Sequence, residues 1–417
     1  MYAQAVFLNI VLSCLAYALE QQAVIVPGAQ HIIQNPGAEH QYTSASSALR
    51  QFHHGGCSAN AGFVAFGDSY SAGIGTGVEG EENDCRQGIH AYPKLIAADC
   101  KPMAFQFLSC TGAGTTNVMV GGDESQMDLF NASLPADFAL LSIGGNDLGF
   151  FEVMNACVFR FYNFYSGTCE TALDHSRAML ASDEFENRLR ILIMEILDKI
   201  RWEKKPWFSI TLTGYAKFFN ELTDECDDMS FGVWWDGPKL TKKLRSEMNA
   251  LVFAVNAKLQ KTIDSINSDF TKDKVIFVNY DDAFDGHRFC EVNVTEPDYE
   301  RDDTWFFLVG GPDNARNGTQ SQQPSDIKTL SPTSPLVDPL LCLGPARRSG
   351  DWGMLALCYM AMAKYRDPTL RPSRGSIRAM NSMWYVPTYY GKTFHPKSLG
   401  HEMIRNKIYE TWRRLDE

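Results

Sequence analysis

The stretch "FVAFGDSYSAGIGTG", residues Phe63–Gly77, gives the first clue to the architecture of the chain. An apolar run stops at Gly67, and Asp68, Ser69 and an aromatic residue follow before three further glycines. A phosphate-binding loop fits poorly, because the glycine spacing differs from G-x-G-x-x-G and no Gly-Lys-Ser/Thr follows. Two interpretations stay open: a strand followed by an ordinary turn, or a turn that exposes a nucleophilic serine.

Short apolar runs alternate with helical patterns along the rest of the chain. Strands are predicted at 62–66, 103–108, 137–143, 207–212 and 274–278, and helices at 183–204, 239–267 and 398–415. This alternation predicts parallel strands and a layered α/β fold in one domain, residues 61–417. In such sheets chemistry gathers at the carboxyl ends of the strands, where the segments 67–69 and 144–147 are predicted to lie.

Apolar residues recur at helical spacing in two of these segments, which predicts the buried face of each helix. The face of the first consists of Phe185, Leu189, Leu192, Ile193, Ile196, Leu197 and Ile200. The face of the second consists of Leu240, Leu244, Met248, Leu251, Val252, Val255, Leu259 and Ile263. An exposed insertion rich in Pro, Ser, Thr and Gln is expected at about 301–390. Five aromatic residues suit either a pocket or the core, and the core is favoured: Trp234, Trp235, Trp305, Phe306 and Phe307.

The composition favours a folded protein with a large core, since 45% of the 417 residues are hydrophobic and 12% are aromatic. The net charge of -12 argues against a general electrostatic affinity for nucleic acid, so no nucleic-acid partner is expected.

The N-terminal segment is predicted to be a secretory signal peptide, residues 1–18. Its apolar run, Val6–Leu15, is short for the alternative of a membrane anchor, which needs about 20 residues. Residues 19–60 are polar and resemble a pro-segment or a loose arm. We therefore expect an extracellular protein that is not stably inserted in a membrane.

The cysteine count agrees with an oxidising compartment. Eleven cysteines are present, and ten remain if Cys14 is removed with the signal peptide, which allows up to five disulfides. No C-x2-C pair exists, so a zinc site is not favoured and no metal is expected. Three glycosylation sequons begin at Asn131, Asn293 and Asn317.

A nucleophilic Ser69 would need a base and donors for the oxyanion, because the G-x-S-x-G elbow is absent. Gly112 and Asn146 lie in glycine-containing segments after two predicted strands and can supply donors. Among nine histidines, His395 lies in a loop before the last helix, whereas His401 lies within that helix and suits packing or capping. His287 is the other histidine that could serve as the base.

Four stretches in this order resemble the SGNH hydrolase superfamily of GDSL esterases and lipases: "FGDSYSAGIGTG", "SCTGAGTTN", "SIGGNDLGF" and "FHPKSLGH". The resemblance implies a three-layer α/β/α sandwich with a parallel flavodoxin-like sheet and no metal or other cofactor. It implies that Ser69 is the nucleophile and His395 the general base. It further implies an oxyanion hole formed by the Ser69 N–H, the Gly112 N–H and the Asn146 side chain.

One position departs from the family pattern. Many members carry an aspartate three residues before the catalytic histidine, where this chain has Lys392. Secreted actinobacterial-type esterases resemble this chain in using a Ser-His dyad, which implies that the Lys392 carbonyl orients the Nδ1–H of His395. A carbonyl can fix the tautomer without a charge. Asp68 is the alternative partner, although a structural role suits it better.

The same branch implies three disulfides, Cys85–Cys110, Cys157–Cys169 and Cys226–Cys290, and leaves Cys57, Cys100, Cys342 and Cys358 unassigned. The expected function is that of a secreted, monomeric serine esterase or lipase acting on a lipid, a small acyl ester or an acetylated glycan. Two alternatives are a carbohydrate O-acetylesterase with the same site and a secreted binding protein without activity.

Overall fold

The computed structural model describes residues 61–80, 82–122, 125–159, 168–232, 238–299, 301–315, 340–344, 358, 362, 365–366 and 388–415. The predicted signal peptide, the N-terminal arm and most of the predicted insertion lie outside these residues. The same is true of Cys57, Trp234, Trp235 and Asn317.

Five parallel strands form one sheet in the order β2-β1-β3-β4-β5. Their bounds are β1 Gly62–Gly67, β2 Ala104–Phe107, β3 Phe138–Ser142, β4 Ser209–Thr213 and β5 Val275–Val278. This is the flavodoxin-like strand order, and each predicted strand is present within a few residues of its expected bounds.

The helices, numbered in chain order, connect and cover these strands. They are α1 Ser69–Ala72, α2 Tyr92–Cys100, α3 Thr115–Val118, α4 Gln126–Leu129, α5 Phe150–Met154, α6 Cys169–Ala181, α7 Asp183–Ile200, α8 Lys242–Asn267, α9 Thr388–Gly391 and α10 Ser398–Arg414. A π-helix, Asn155–Phe159, continues α5, and 3-10 turns cover Trp202–Lys204 and Asp281–Phe284. Helices α2 and α10 pack together, as do α6, α7 and α8, and both groups contact the sheet. The predicted α/β sandwich is therefore confirmed.

Strand β1 lies between β2 and β3, and every one of its residues is buried. A continuous apolar run suits a parallel strand that is covered on both faces. The Phe63 ring stacks on Phe138 of β3 at 4.7 Å and lies 4.5 Å from Phe105 of β2. These ring contacts join β1 to both of its neighbouring strands. The loop after β1 lies at the carboxyl edge of the sheet.

The periodicity of α7 gave its buried face correctly, since all seven apolar residues of the predicted face are buried. Helix α8 begins at Lys242, three residues later than predicted, because the Thr241 hydroxyl accepts the Leu244 N–H and caps the helix there. Helix α6 was missed because only Ala172, Leu173 and Ser176 are buried, which leaves no apolar stripe in the sequence.

The start of the predicted insertion belongs to the core rather than to an exposed loop. Trp305, Phe306 and Phe307 are buried, as expected for core aromatics. An antiparallel bridge joins Phe306 to Pro396, so this segment packs beside the chain that leads into α10. The exposed character expected from residue 301 onward is therefore wrong for residues 304–309, which are buried and whose Trp305 and Phe306 rings pack against Phe284 and Phe289.

Within the described part of the chain, no helix is long and apolar enough to cross a membrane.

Candidate active site at the carboxyl edge of the sheet

Ser69 lies directly after β1, at the first position of α1. The turn requires glycine at position 67, where φ is +131° and a Cβ would lie 2.1 Å from the Ser142 carbonyl oxygen. Asp68 caps α1 by accepting the Tyr70 N–H at 3.0 Å. In the described structure the Ser69 N–H has no protein acceptor, as expected for the first turn of a helix.

A buried glutamine holds the backbone of this turn. The Gly67 N–H donates to Gln126 Oε1 at 2.8 Å, and Gln126 Nε2 donates to the Gly67 carbonyl at 2.8 Å. The side-chain amide thus bonds both backbone groups of Gly67, the last residue of β1. Gln126 is not predicted to be buried from the sequence, because it is a polar residue in a polar segment.

His395 meets Ser69 although 326 residues separate them, with Nε2 at 2.7 Å from Ser69 Oγ. Its Nδ1 lies 3.1 Å from the Thr393 carbonyl oxygen, which can only accept, so Nδ1 carries the proton and Nε2 is free to accept one. Burial lowers the pKa of His395 to about 4, which keeps the imidazole neutral at pH 7.

The expected partner of Nδ1, the Lys392 carbonyl, has a different hydrogen bond in the structure. It accepts the His395 backbone N–H at 2.9 Å and so closes a turn in which Phe394 has φ +64°. Both the Thr393 and Lys392 carbonyls raise the pKa of His395, but the Nδ1 hydrogen bond goes to Thr393. The Lys392 carbonyl thus still acts on the imidazole, while the hydrogen bond of its own turn is to the His395 backbone N–H.

The Lys392 side chain ties the turn before His395 to the segment that contains Phe307 and Gly311. Its Nζ donates to the Gly311 carbonyl at 2.7 Å and lies 4.6 Å from the centre of the Phe307 ring. Burial lowers the pKa of Lys392 to about 8. A lysine therefore occupies the position of the family aspartate as a structural cation, and the imidazole faces neutral carbonyls.

The turn that carries His395 is also bonded to α1, the helix that begins with Ser69. The Tyr70 hydroxyl donates to the Phe394 carbonyl at 2.8 Å, and the Phe307 N–H donates to the His395 carbonyl at 3.0 Å. The Tyr70 and His395 rings lie 5.0 Å apart. Packing and hydrogen bonds thus hold the imidazole against Ser69.

The two other predicted donors lie on neighbouring loops. Asn146 Nδ2 donates one hydrogen to the Ala113 carbonyl at 2.9 Å, which leaves its second N–H available. Gly112 has φ +87°, and its N–H has no acceptor in the described structure. Its loop adjoins Ser69, because the Cys110 N–H donates to the Gly67 carbonyl at 2.9 Å.

Asp147 links these two loops. Its carboxylate accepts the Thr115 N–H at 2.9 Å and the Thr115 hydroxyl at 2.6 Å, with Arg188 at 3.8 Å. Burial raises the pKa of Asp147, and the Thr115 hydrogen bonds oppose that effect. The carboxylate therefore fixes the loop of Asn146 relative to the loop of Gly112.

Asp68 is not bonded to the imidazole in the described structure. Its oxygens accept the Tyr70 N–H, the Ser142 hydroxyl at 3.0 Å and the Tyr215 hydroxyl at 2.7 Å. Burial raises its pKa to about 6. The structural role expected for Asp68 agrees with these contacts. Tyr215 is not identifiable from the sequence, where its only signal is its place after the carboxyl end of β4.

A pocket begins at Ser69 and Asn146 and continues between α5, α6 and α8. Its volume is about 680 Å³, including the part open to solvent. Beyond its polar end the lining is almost entirely apolar: Leu148, Phe150, Val153, Met154, Leu180, Phe218, Met248, Leu251, Val252 and Val255. The arrangement places the Ser69 hydroxyl at one end of an apolar cavity.

The disulfides support the edges of this site. The structure contains Cys85–Cys110, Cys157–Cys169 and Cys226–Cys290, the three pairs implied by the family resemblance, and also Cys342–Cys358. Cys100 is disulfide-bonded as well. Cys110 lies two residues before Gly112, so the first disulfide anchors the loop that carries this N–H.

The other candidate histidines lie apart from Ser69. His401 is buried in α10, where its Nδ1 accepts the Tyr92 N–H at 3.3 Å, which is a packing role. His287 stacks on Trp305 at 3.7 Å. Among the described residues, no group of three or more His, Cys, Asp or Glu side chains is arranged to hold a metal ion.

Residues 65–290 match the profile of the GDSL-like Lipase/Acylhydrolase family. The chain is similar to Lipase 1 of Streptomyces coelicolor, with 32% identity over 170 residues, which cover 40% of this chain and 57% of that lipase. It is also similar to a lipase of Streptomyces rimosus, with 27% identity over 229 residues that cover 55% of this chain and 73% of that protein. The first match thus spans less than two thirds of the relative's length.

Two solved structures are similar to the chain. One is phospholipase A1 from Streptomyces albidoflavus NA297, with 27% identity, a TM-score of 0.44 and coverage of 56% of this chain and 84% of that one. The other is the extracellular lipase from Streptomyces rimosus, with 26% identity, a TM-score of 0.44 and coverage of 57% and 89%.

The matched residues include Ser69, Gly112 and Asn146 but end before His395, whose relation to the site rests on its contact with Ser69. Since the match covers more than half of the 417 residues, the resemblance read from the four sequence blocks is confirmed, and the chain belongs to the GDSL-like lipase/acylhydrolase family.

Proposed function

We propose that this protein is a serine esterase or lipase that hydrolyses carboxylic ester bonds through a Ser69–His395 dyad. The observation that carries the proposal is the 2.7 Å contact between Ser69 Oγ and His395 Nε2 at the end of an apolar pocket. A hydroxyl hydrogen-bonded to a neutral imidazole is the arrangement that activates a serine nucleophile.

In the proposed reaction, Ser69 Oγ attacks the ester carbonyl carbon while His395 Nε2 accepts the hydroxyl proton. When the tetrahedral intermediate collapses, the bond to the alcohol oxygen breaks and the imidazolium returns the proton to that oxygen. Water then attacks the acyl-enzyme, with His395 accepting one of its protons and returning it to Ser69 Oγ. The products are the free acid and the alcohol.

The Thr393 carbonyl holds the imidazole in the reactive tautomer through Nδ1. It carries no full charge, so it stabilises the transient imidazolium less than a carboxylate would. We therefore assign the larger part of transition-state stabilisation to the oxyanion donors. These are the N–H groups of Ser69 and Gly112 and the free N–H of the Asn146 amide, which the Ala113 carbonyl orients.

The pocket supports an acyl chain longer than acetyl. Burial of one CH2 group contributes about 0.8 kcal/mol, and the cavity beyond Ser69 is lined mainly by aliphatic and aromatic side chains. An acetylated glycan would place only a methyl group there, so the lining favours lipid-like or medium-chain esters over the O-acetylesterase alternative. The intact Ser69–His395 contact disfavours a binding protein without activity.

Secretion is part of the proposal. Its support is the set of disulfides, which persist in oxidising compartments, and the printed description of one relative as an extracellular lipase. Asn131 and Asn293 are exposed and so accessible to glycosylation in a eukaryotic secretory pathway. We expect a monomer whose partner is the ester substrate.

Hydrolysis of p-nitrophenyl butyrate tests the proposal. Ser69→Ala should abolish the enzyme-dependent rate, because no other group supplies the attacking oxygen in this mechanism. Ser268→Ala is the matched control, since Ser268 is exposed and its hydroxyl bonds only to the Ser265 carbonyl among the described residues. Full activity in Ser69→Ala would show that the proposed nucleophile is wrong.

A further inference from the structure

Tyr215 lies between the loop that carries Ser69 and the loop that carries Asn146. Its hydroxyl donates to Asp68 Oδ2 at 2.7 Å and accepts the Gly145 N–H at 3.0 Å. Asp68 directly precedes Ser69, and Gly145 directly precedes Asn146. One hydroxyl therefore joins the residues next to the proposed nucleophile and next to one proposed oxyanion donor.

The position of Tyr215 is itself fixed from three sides. Its backbone N–H donates to Asn256 Oδ1 at 2.9 Å, and its carbonyl accepts from Asn256 Nδ2 at 2.7 Å. Its ring packs edge-on against Tyr70 at 5.1 Å, and only 6% of the residue is exposed. The hydroxyl cannot move without disturbing α8 or α1, so it is a rigid reference point for both loops.

We propose that Tyr215 is a positioning residue for the ester hydrolysis proposed above: its hydroxyl holds the loops of Ser69 and Asn146 in register through Asp68 and Gly145. The inference rests on the proposed function, since it concerns the distance between the attacking oxygen and an oxyanion donor. Small displacements of such donors lower the rate strongly, because their stabilisation of the transition state depends on preorganisation.

The surroundings of Asp68 add a pH-dependent readout. Tyr70, Tyr92, Tyr215 and Tyr280 are the titratable side chains that interact with it electrostatically, from α1, α2 and the segments after β4 and β5. Burial raises the pKa of Asp68 to about 6, and the Tyr215 hydrogen bond opposes that rise. Loss of this hydroxyl therefore shifts the protonation of Asp68 to higher pH.

Tyr215→Phe is the direct test because it removes the hydroxyl and keeps the ring. We expect kcat for a short ester at pH 8 to fall about 10- to 100-fold, less than the ~10²–10³-fold loss for deletion of a donor. KM should change little. We expect kcat of the parent to decline near pH 6 as Asp68 becomes protonated, and this decline should move to higher pH in the variant. Tyr409→Phe is the control, since it removes a similar Tyr–Asp contact of 3.0 Å, to Asp99, far from Ser69, and should match the parent.

Ser142→Ala distinguishes the contact of the Tyr215 hydroxyl with Asp68 from its contact with Gly145. It removes a 3.0 Å donor from Asp68 but leaves the Gly145–Tyr215 contact intact. We expect this variant to shift the acidic decline upward with a smaller loss of kcat at pH 8 than Tyr215→Phe. Equal losses in both variants would overturn the bridging role, because Asp68 alone would then explain the effect. This variant also tests the Asp68 half if Tyr215→Phe does not yield folded protein.

A double-mutant cycle with Asn146→Ala provides the decisive comparison. If Tyr215 acts by positioning Asn146, adding Tyr215→Phe to Asn146→Ala should reduce kcat by less than threefold further. Multiplicative losses, or a Tyr215→Phe variant with unchanged kcat, would overturn the inference. The proposed function stands or falls separately, because it requires only that Ser69→Ala abolish the activity.

Discussion

Gln126 offers a quantitative test of how the turn before Ser69 is held. The residue is 1% exposed, and its amide makes two 2.8 Å hydrogen bonds to Gly67. Replacement by alanine leaves the Gly67 N–H without a partner in a buried site, which costs about 1–3 kcal/mol. The Gly67 carbonyl keeps the Cys110 N–H at 2.9 Å, so its loss is nearer to about 1 kcal/mol. The expected total is about 2–4 kcal/mol of unfolding free energy.

Urea unfolding with the disulfides intact measures this effect, and Gln126→Met separates hydrogen bonds from cavity formation. Methionine fills nearly the same volume as glutamine but cannot bond to Gly67, so it should still lose about 2 kcal/mol. Gln260→Ala is the control, because Gln260 is exposed and its side chain bonds only to Asp264 among the described residues, and the loss of stability should stay within about 0.5 kcal/mol. A Gln126→Met variant as stable as the parent would refute the reasoning.

Three further outcomes are expected. The pH profile of kcat/KM should fall partly near pH 6 as Asp68 protonates and fully near pH 4 as the imidazole of His395 does; a single step near pH 7 would contradict this. The depressed pKa values of His395 and His401 should destabilise the fold as the pH drops from about 6.5 toward 4, by roughly 3 kcal/mol for His395. The raised pKa of Asp68 acts in the opposite direction below about pH 6, so urea unfolding at several pH values should compare the parent with His395→Gln. An identical pH dependence of stability in the two proteins would exclude the loss. The rate kcat/KM should rise about fourfold per added CH2 of the acyl chain until the pocket is filled, and Val252→Trp should shorten the preferred chain whereas the exposed neighbour variant Phe253→Trp should not.

The sequence was informative where side-chain type alone decides the structure. The apolar run of β1 and the spacing of Phe185 to Ile200 gave a buried strand and a helix face, because burial of apolar surface is the dominant local preference there. The four family blocks predicted that Ser69 and His395 share a site, and in the structure Ser69 Oγ lies 2.7 Å from His395 Nε2.

The remaining features depend on tertiary contacts that residue type does not reveal. Gln126, Tyr215 and Asn256 are buried polar residues whose partners are backbone groups or side chains distant in sequence. The choice between the Lys392 and Thr393 carbonyls is set by one backbone turn, since every residue supplies a carbonyl. These contacts depend on how the loops run between the strands and helices. The sequence pattern predicts the strands and helices but not the course of the loops.

The most direct test of the Ser69–His395 dyad is covalent labelling with a fluorophosphonate, located by peptide mass spectrometry. We expect one equivalent of phosphonate on Ser69 in the parent protein and no labelling in Ser69→Ala. In His395→Gln the reaction should be at least ~10³-fold slower, on the order of the loss when a triad member is removed. Labelling of another residue, or an unchanged rate in His395→Gln, would contradict the assignment of Ser69 as nucleophile and His395 as its base.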